Sequence, residues 1–316
     1  MPFEKCFSAE EWQARFPVGS RATALAIGNF DGVHLGHQLI LRRVLERARQ
    51  ENCLAAVLTF YPHPTRVLRP ADAPELLMNL DQRLAAIAAM DLDAALVIRF
   101  DADFAKISPD DFGCRYVAET MRARFVAVGA NFRFGHRQAG DVNTLADLGK
   151  RLGFDVESIA PVVADGVVVS STAIRKYIRE GQVAEAARML GRPYALEGEI
   201  RTGTGMGRKL VVPTLNLYTQ QELLPKLGVY ATEVSVAGAN YRAATNVGMR
   251  PTFDGAHVTI ESHLLDFSET LTSGPMTVRL LARLRDEMKF SGPDPLRQQI
   301  LADIEQVKKY FLARKK

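Results

Sequence analysis

The chain has 316 residues, of which 47% are hydrophobic and 24% are charged, and its formal net charge is +4. The composition is that of a globular protein, and the length exceeds what one hydrophobic core usually serves, so we expect two domains. The small positive charge suits anionic substrates such as nucleotides but is too weak to indicate a nucleic-acid-binding protein.

Cysteine usage and the distribution of apolar residues bear on where the protein works. The three cysteines are far apart and form no CxxC pair, which argues against a zinc site or a disulfide framework and favours a reducing compartment. The first residues include charged ones without an apolar signal-peptide core, and no apolar run approaches the roughly 20 residues of a membrane span. We therefore expect a soluble cytoplasmic protein with no membrane partner.

Strand-like and helix-like segments alternate through the first half of the chain. Such alternation predicts a mostly parallel, doubly wound sheet with helices on both faces. Ligands are then expected at the carboxyl ends of the strands. The predicted strands are residues 22–30, 52–60, 94–100 and 124–130, and the predicted helices are residues 35–50, 74–90 and 110–121.

The pattern changes near residue 180. Two short helices are predicted at residues 172–181 and 183–190, and Gly191-Arg192-Pro193 then ends the helical pattern. Short β-branched runs separated by turn residues follow, which predicts an antiparallel barrel or sandwich, and residues 295–312 form a terminal amphipathic helix. We place the domains at residues 1–185 and 186–316. The predicted strands are residues 196–201, 211–218, 230–236, 241–247, 257–266 and 276–285.

Residues 28–37, with the sequence GNFDGVHLGH, lie where a predicted strand gives way to a helix. Backbone amides at a helix N-terminus bind phosphate, and glycines let a phosphate approach the backbone. His34 and His37 are three residues apart, so they face the same way on a helical turn. Two imidazoles there would stabilise charge on an α-phosphate and on departing pyrophosphate, with no covalent intermediate.

The same segment also admits an ordinary structural interpretation, a glycine-rich turn with two hydrogen-bonded histidines. The combination of HxGH with Gly28, Asp31 and Gly32 after a strand favours the functional interpretation. A zinc site is less well supported, because no third ligand lies nearby in the sequence.

Three further segments fall at predicted strand ends or at a helix start. TFYPHP at residues 59–64 and GANFRFG at residues 129–135 each end a strand, and the aromatic rings of the second segment could hold a flat ligand. VSSTAIR at residues 169–175 opens a helix with hydroxyls followed by a cation, which is a second possible phosphate site. Each alone is typical of a turn, a core edge or a helix cap.

Taken in order, GNFDGVHLGH, TFYPHP, NFRFG and SSTAIR resemble the motifs of the nucleotidyltransferase module of bacterial bifunctional riboflavin kinase/FAD synthetases. The resemblance implies a Rossmann-like domain that binds ATP and FMN. Ala173 and His136 depart from it, since the family often has arginine and lysine there. The implied catalytic residues are His34, His37 and Arg175, and the implied nucleotide-binding residues are Gly28, Asn29, Asp31, Gly32, His63, Asn131, Arg133, Ser170, Ser171 and Thr172.

The second half has its own polar motifs. GTGMGRK at residues 203–209 is neither a Walker A loop nor GxGxxG, and alone it predicts a flexible hairpin. Thr214 and Asn216 in VPTLN lie two residues apart, so in a strand both face one side and offer oxygens to Mg²⁺ and phosphate. Glu261 lies in an apolar strand, where it could pair with a cation or act as a general base.

The glycine-rich loop, the PTxN element, the segment NVGMRPT at residues 246–252 and ESHLLDF at residues 261–267 resemble, in order, the riboflavin kinase module of the same family. This resemblance implies a six-stranded antiparallel barrel with a terminal helix. It also implies Mg²⁺–ATP held by Thr214 and Asn216, with Glu261 as the base on the riboflavin 5′-hydroxyl. Leu215 departs from the usual PTAN. The loop residues implied in nucleotide binding are Gly203, Gly205, Gly207 and Arg208.

The two resemblances together predict that the chain phosphorylates riboflavin to FMN and adenylylates FMN to FAD, with ATP and Mg²⁺. One alternative is a riboflavin kinase whose first domain is a relic. Another is a flavin-binding or RNA-contacting module without catalysis, although the chain has no basic tract beyond its last residues. We expect small-molecule substrates, no nucleic acid, and a monomer or weak homo-oligomer.

Overall fold

The computed structural model describes residues 2–201, 213–252, 255–269 and 271–314. The chain divides into two compact units, Met1–Ser171 and Thr172–Lys316. The two predicted short helices occupy Ser171–Arg179 (α7) and Val183–Leu190 (α8), so they belong almost wholly to the second unit. The domain boundary predicted from the sequence lies between residues 185 and 186, farther along the chain than this division, and it stays a prediction.

The first unit contains a six-stranded sheet in which every pair of neighbouring strands is parallel, as the alternating pattern predicted. The strands are β1 (Glu4–Cys6), β2 (Thr23–Ile27), β3 (Leu54–Tyr61), β4 (Ala94–Arg99), β5 (Ala123–Gly129) and β6 (Asp155–Ile159). Their order in the sheet is β1–β4–β3–β2–β5–β6. Two short strands outside this sheet, β7 (Val163–Ala164) and β8 (Val167–Val168), pair antiparallel with each other.

Helices cover both faces of this sheet, because its strands bury side chains on both sides. Leu25 and Ile27 of β2 pack in one hydrophobic cluster with Trp12 and Phe112. Ala24 and Ala26, which point to the other face of the sheet, pack in a second cluster with apolar residues of α2 and α4. The helices are α1 (Ala9–Arg15), α2 (Leu35–Gln50), α3 (Pro64–Leu68), α4 (Leu80–Ala88), α5 (Pro109–Asp111, continued by a π-helix over Phe112–Thr120) and α6 (Val142–Leu152).

The helix predicted from residue 74 starts six positions later in the structure. Asn79 caps α4 through a capping box with Gln82, so the helix begins at Leu80. The backbone amides of Leu77 and Met78 are instead bound by the carboxylate of Asp31. A carboxylate from elsewhere in the chain therefore keeps this segment out of the helix.

The second unit is a closed six-stranded antiparallel barrel, which decides between the predicted barrel and sandwich. Its strands are β9 (Tyr194–Arg201), β10 (Leu215–Tyr218), β11 (Gly228–Val236), β12 (Ala239–Thr252), β13 (Gly255–Leu264) and β14 (Pro275–Arg285). Their order around the barrel is β10–β13–β12–β11–β14–β9. A terminal helix, α9 (Pro293–Ala313), packs against β11 and β12.

A chain of buried hydroxyls joins three strands inside the barrel. Thr232 of β11 lies 2.7 Å from Thr245 of β12, whose hydroxyl lies 2.8 Å from that of Ser262 in β13. All three side chains are fully buried. A one-residue slip would turn these hydroxyls outward and leave their partners unsatisfied, so the chain fixes the strand register.

The terminal helix is tied to the barrel by a buried ion pair. Arg285, at the end of β14, donates to Asp303 of α9 with Nε···Oδ1 at 2.8 Å and Nη2···Oδ2 at 2.6 Å. The side chain of Asp303 is 5% exposed, and Gln299 donates to the same carboxylate.

None of the helices in the described part of the chain has both the length and the apolar character that a membrane span requires.

We expect Asp303→Ala to destabilise the second unit by about 3 kcal/mol, because it leaves a largely buried guanidinium without its partner. Glu305→Ala, which removes an exposed pair with Lys308, should change stability by less than about 1 kcal/mol. Urea unfolding followed by circular dichroism measures both. Fluorescence of Trp12, the chain's single tryptophan, reports the first unit and should not shift. Equal effects of the two substitutions would contradict the role of the ion pair.

Candidate active sites

The loop after β2 turns sharply at the carboxyl end of the parallel sheet. Phe30, Gly32 and Val33 all have positive φ, of 51°, 88° and 40°. Phe30 is buried under the loop, and a Cβ added to Gly28 would lie 3.3 Å from its ring. The loop thus combines strained non-glycine conformations with a glycine whose lack of a side chain makes room for a ring.

Asp31 has an identifiable structural task in this loop. Its buried carboxylate accepts hydrogen bonds from the backbone N–H groups of Leu77, at 3.0 Å, and Met78, at 3.2 Å. The hydroxyl of Ser171 donates to the carbonyl oxygen of Asp31 at 2.9 Å, which brings two predicted site residues together. Asp31 therefore shapes the loop, and its predicted nucleotide contact stays a prediction.

His34 and His37 form a stacked pair at the start of α2. His34 is the N-cap residue, and its Nδ1 accepts a hydrogen bond from the backbone N–H of His37 at 3.3 Å. The neutral form of His34 therefore carries its proton on Nε2. The two ring centroids are 3.6 Å apart, and a Cβ on Gly36 would lie 3.2 Å from Cε1 of His34. The glycine of HxGH leaves space for the first imidazole.

The pKa of His37 is lowered well below 6.5. Burial is the main cause, and the charges of His34 and Arg83 lower the pKa further. Its Nδ1 is buried and has no hydrogen-bond partner among the described residues. His37 is consequently neutral at physiological pH.

Arg83 is a site residue that the sequence analysis missed. Its buried guanidinium donates to the carbonyl oxygens of Asn29, at 2.6 Å, and Phe60, at 3.2 Å. Arg83 therefore holds together the carboxyl ends of β2 and β3, and burial lowers its pKa. The sequence contained a signal, because Arg83 shares the apolar face of α4 with Leu84 and Ile87.

The TFYPHP segment is brought to the same loop. Nδ2 of Asn29 lies 3.4 Å from Nε2 of His63. His63 caps α3, and its Nδ1 accepts a hydrogen bond from the backbone N–H of Thr65. Asn29 and His63, distant in sequence, are therefore neighbours, as expected for residues at the ends of adjacent parallel strands.

The other predicted residues of the first site have varied surroundings. Asn131 and Arg133 follow β5 and are exposed, and Arg133 forms an ion pair with Asp141 at 3.5 Å. Thr172 is exposed and Arg175 is buried on α7, while Ser170 is half-buried. Their roles toward a ligand stay predictions.

On the barrel, Asn216 and Glu261 are directly paired on β10 and β13. Both side chains are half-buried, whereas the flanking Leu215, Leu217 and Ile260 are buried. The alternation places Asn216 and Glu261 on the outer surface of the barrel. The predicted base therefore lies on the outside of the barrel and not in its core.

Thr214 precedes β10 and is half-buried. A hydrogen bond from β13 fixes the residue before it. Nδ1 of His263 donates to the carbonyl oxygen of Pro213 at 2.9 Å, a contact that the sequence analysis did not foresee. The predicted loop residues Gly203, Gly205, Gly207 and Arg208 lie outside the described residues.

The donors on the barrel fit a magnesium ion that is bound together with a nucleotide. A hydroxyl, an amide oxygen and a carboxylate are the oxygen ligands that hard cations prefer. In the described ranges, no cluster of three or more His, Cys, Asp or Glu side chains could hold a metal ion. Magnesium at Thr214 and Asn216 would therefore depend on phosphate oxygens for its remaining ligands.

We expect the imidazole of His37 to titrate well below 6.5, the ordinary value. Arg83→Met should raise the pKa of His37, because it removes a nearby positive charge, although burial keeps the value depressed. NMR titration of the six histidines measures this shift. Arg124→Met, an exposed arginine on β5, is the control and should leave His37 unchanged. A wild-type His37 that titrates normally would refute the described environment.

Two family models match the chain, one to each half. The FAD synthetase model matches residues 18–173, and the riboflavin kinase model matches residues 190–311. Residues 174–189, which include most of α7 and α8, lie between the two matches.

Curated relatives match over most of their length. The bifunctional riboflavin kinase/FMN adenylyltransferase of Haemophilus influenzae is 35% identical over 289 residues, covering 91% of this chain and 94% of that protein. The protein of the same name from Escherichia coli is also 35% identical, covering 91% of this chain and 92% of its own.

A solved structure shares the fold. It is a crystal structure described as a macrolide-efflux protein from Streptococcus pneumoniae, with 27% identity and a TM-score of 0.86. The match covers 98% of this chain and 99% of the other. Because both family models match and the curated relatives align across 91% of the sequence, the chain belongs to the family of bifunctional riboflavin kinase/FMN adenylyltransferases.

Proposed function

We propose that the first domain, residues 1–185, makes FAD at the His34–His37 pair, and that the barrel domain makes FMN on its outer surface, at Thr214, Asn216 and Glu261. The observation that carries the first assignment is the stacked imidazole pair at the N-terminus of α2. The presence of both family domains supports two activities over a riboflavin kinase with a relic first domain. The intact loop around the histidines agrees with this choice.

In the FAD-forming reaction, a phosphate oxygen of FMN attacks the α-phosphorus of ATP. A new phosphoanhydride bond forms, the bond between the α-phosphorus and its bridging oxygen to the β-phosphate breaks, and pyrophosphate leaves. Backbone N–H groups of the first turn of α2 would bind phosphate oxygens. His34, with Nε2–H in its neutral form, and His37 would stabilise the charge that develops. Arg83 contributes indirectly, because it fixes the loop that carries Asn29.

In the FMN-forming reaction, Glu261 takes the proton of the riboflavin 5′-hydroxyl. The oxygen then attacks the γ-phosphorus of ATP, the bond between that phosphorus and the β–γ bridging oxygen breaks, and ADP leaves. Magnesium held with the nucleotide would neutralise phosphate charge. Thr214 and Asn216 supply protein oxygens beside Glu261, and His263 keeps their segment against β13 through Pro213.

We further propose the finer properties expected from the sequence. Arg175 contributes a phosphate-binding cation in FAD synthesis, and Mg²⁺ supports both reactions. The protein acts in the cytoplasm on small molecules, binds no nucleic acid, and is a monomer or weak homo-oligomer. The FAD-forming domain is residues 1–185, and the FMN-forming domain is residues 186–316.

Changing His34 and His37 together to alanine should stop the conversion of FMN to FAD. We expect a loss of about 10²-fold or more, since two groups that stabilise the transition state are removed. Chromatographic separation of flavins over time, with riboflavin, ATP and Mg²⁺ supplied, measures the effect. Formation of FMN by the same sample is the internal control. FAD synthesis at the wild-type rate would refute the role of the pair.

Glu261→Gln should abolish most riboflavin phosphorylation, by about 10²-fold or more, because the amide cannot accept the hydroxyl proton. Conversion of supplied FMN to FAD should continue. The matched control is Glu233→Gln, which removes a half-exposed carboxylate that pairs with Arg279 on the same barrel. Equal loss of both activities in Glu261→Gln, or equal kinase loss in the control, would contradict the assignment.

A further inference from the structure

Residues 246–252 carried part of the family resemblance, but the reactions above give them no role. In the structure, Asn246 of β12 is directly paired with Glu261 of β13. Glu261 is paired on its other side with Asn216. Side chains paired in this way lie on one face with Cβ atoms about 4.5–5.5 Å apart. The predicted base therefore lies between two carboxamides, only one of which has an assigned task.

A second carboxylate, that of Glu287, also lies near Asn246. Gly248 follows Asn246 by two residues, so it shares the outer face of β12. A Cβ on Gly248 would lie 2.7 Å from Nδ2 of Asn246 and 2.7 Å from Oε1 of Glu287. The same Oε1 accepts a hydrogen bond from the backbone N–H of Met249 at 3.1 Å. The carboxylate of Glu287 thus occupies the space above Gly248, beside the amide of Asn246.

We propose that Asn246 is a positioning residue for Glu261, and that Glu287 holds Asn246 in place across Gly248. A carboxamide has two N–H donors, and carboxylates are the strongest acceptors available to it on both sides. Fixing the amide restricts the orientation of Glu261 toward the substrate hydroxyl. A loss of that orientation lowers turnover more than it lowers binding. The inference rests on the proposed role of Glu261 in riboflavin phosphorylation.

Gly248→Ala is the central test. The two groups that an added methyl would meet are both ends of flexible side chains, so the methyl displaces them and leaves the strand in place. We expect kcat of riboflavin phosphorylation to fall between about 10-fold and about 100-fold, with a much smaller change in KM. FMN adenylylation by the same protein should not change. Gly292→Ala, where an added Cβ meets nothing within 4 Å, is the matched control.

Substitutions of Glu287 separate positioning from charge. Glu287→Ala should lower kcat as Gly248→Ala does, whereas Glu287→Gln keeps an oxygen for the Met249 amide and should retain most turnover. The double variant Gly248→Ala/Glu287→Ala should be no slower than either single variant, because both remove the same placement. Asn246→Ala should lower kcat of riboflavin phosphorylation by the same factor as Gly248→Ala and Glu287→Ala.

Three results would overturn the inference: wild-type kcat in Gly248→Ala and Glu287→Ala, an effect on KM alone, or independent losses that multiply in the double variant. Glu261→Gln is measured alongside as the reference for the proposed function. If Glu261→Gln keeps its turnover, the proposed base itself is wrong. If only Glu261→Gln loses turnover, the base stands and the positioning role fails.

Discussion

The geometry of the first site depends on the hydrogen bonds that the buried guanidinium of Arg83 donates to backbone carbonyl oxygens. A cation enclosed by protein is costly unless its N–H groups find acceptors, and here two of the acceptors are backbone carbonyls at the ends of adjacent strands. The loop with Asn29 is thereby fixed to the end of β3, which leads to His63. The positive charge also reaches His37, whose pKa it lowers. One side chain from α4 thus sets both the shape and the charge of a site to which other segments contribute the recognisable motifs.

In the barrel, residues of the interior fix the positions of the site residues on the outer surface. The hydroxyls of Thr232, Thr245 and Ser262 connect three strands at one level. Thr245 and Ser262 immediately neighbour Asn246 and Glu261 in sequence, so fixing the inward residues also fixes which residues face outward. A slip by one position would bury Glu261 and expose the hydroxyls. The interior polar chain is therefore what guarantees the pairing of Glu261 with Asn216 and Asn246 on the outer surface.

Periodicity and motif order predicted much of this architecture. The helix predicted at residues 35–50 matches α2, because its apolar face and its glycine-rich start are both strong local signals. The strands β1 and β6 were missed. β1 is only three residues long and contains a glutamate and a lysine, and three of the five residues of β6, with the sequence DVESI, are polar. Their pairing with β4 and β5 comes from the rest of the sheet.

The sequence predicted the chemistry of the sites where a local motif contains the reactive residues. It did not predict contacts between residues that are far apart in the chain. His34, His37 and Glu261 stand out in sequence, but the backbone partners of Asp31 lie on a segment whose composition suggested a helix. The contact between Glu287 and Met249 joins a β-strand to the segment before the terminal helix. No local pattern encodes such a pair, because it exists only once the barrel has closed.

The two sites also differ in how they hold charge. The outer surface of the barrel combines the carboxylates of Glu261 and Glu287 with the carboxamides of Asn216 and Asn246, and such oxygen donors would suit a magnesium ion bound with the nucleotide. The first site instead buries His37 near His34 and Arg83, and its pKa is lowered mainly by this burial and further by the two neighbouring charges. An anionic phosphate placed beside that imidazole would counter both neighbouring charges and raise the pKa of His37. Nucleotide binding at α2 would therefore favour protonation of His37, with proton uptake at pH values between the lowered and the raised pKa. The positive charge of Arg83, which helps burial to disfavour the protonated form of His37, would thus attract a triphosphate.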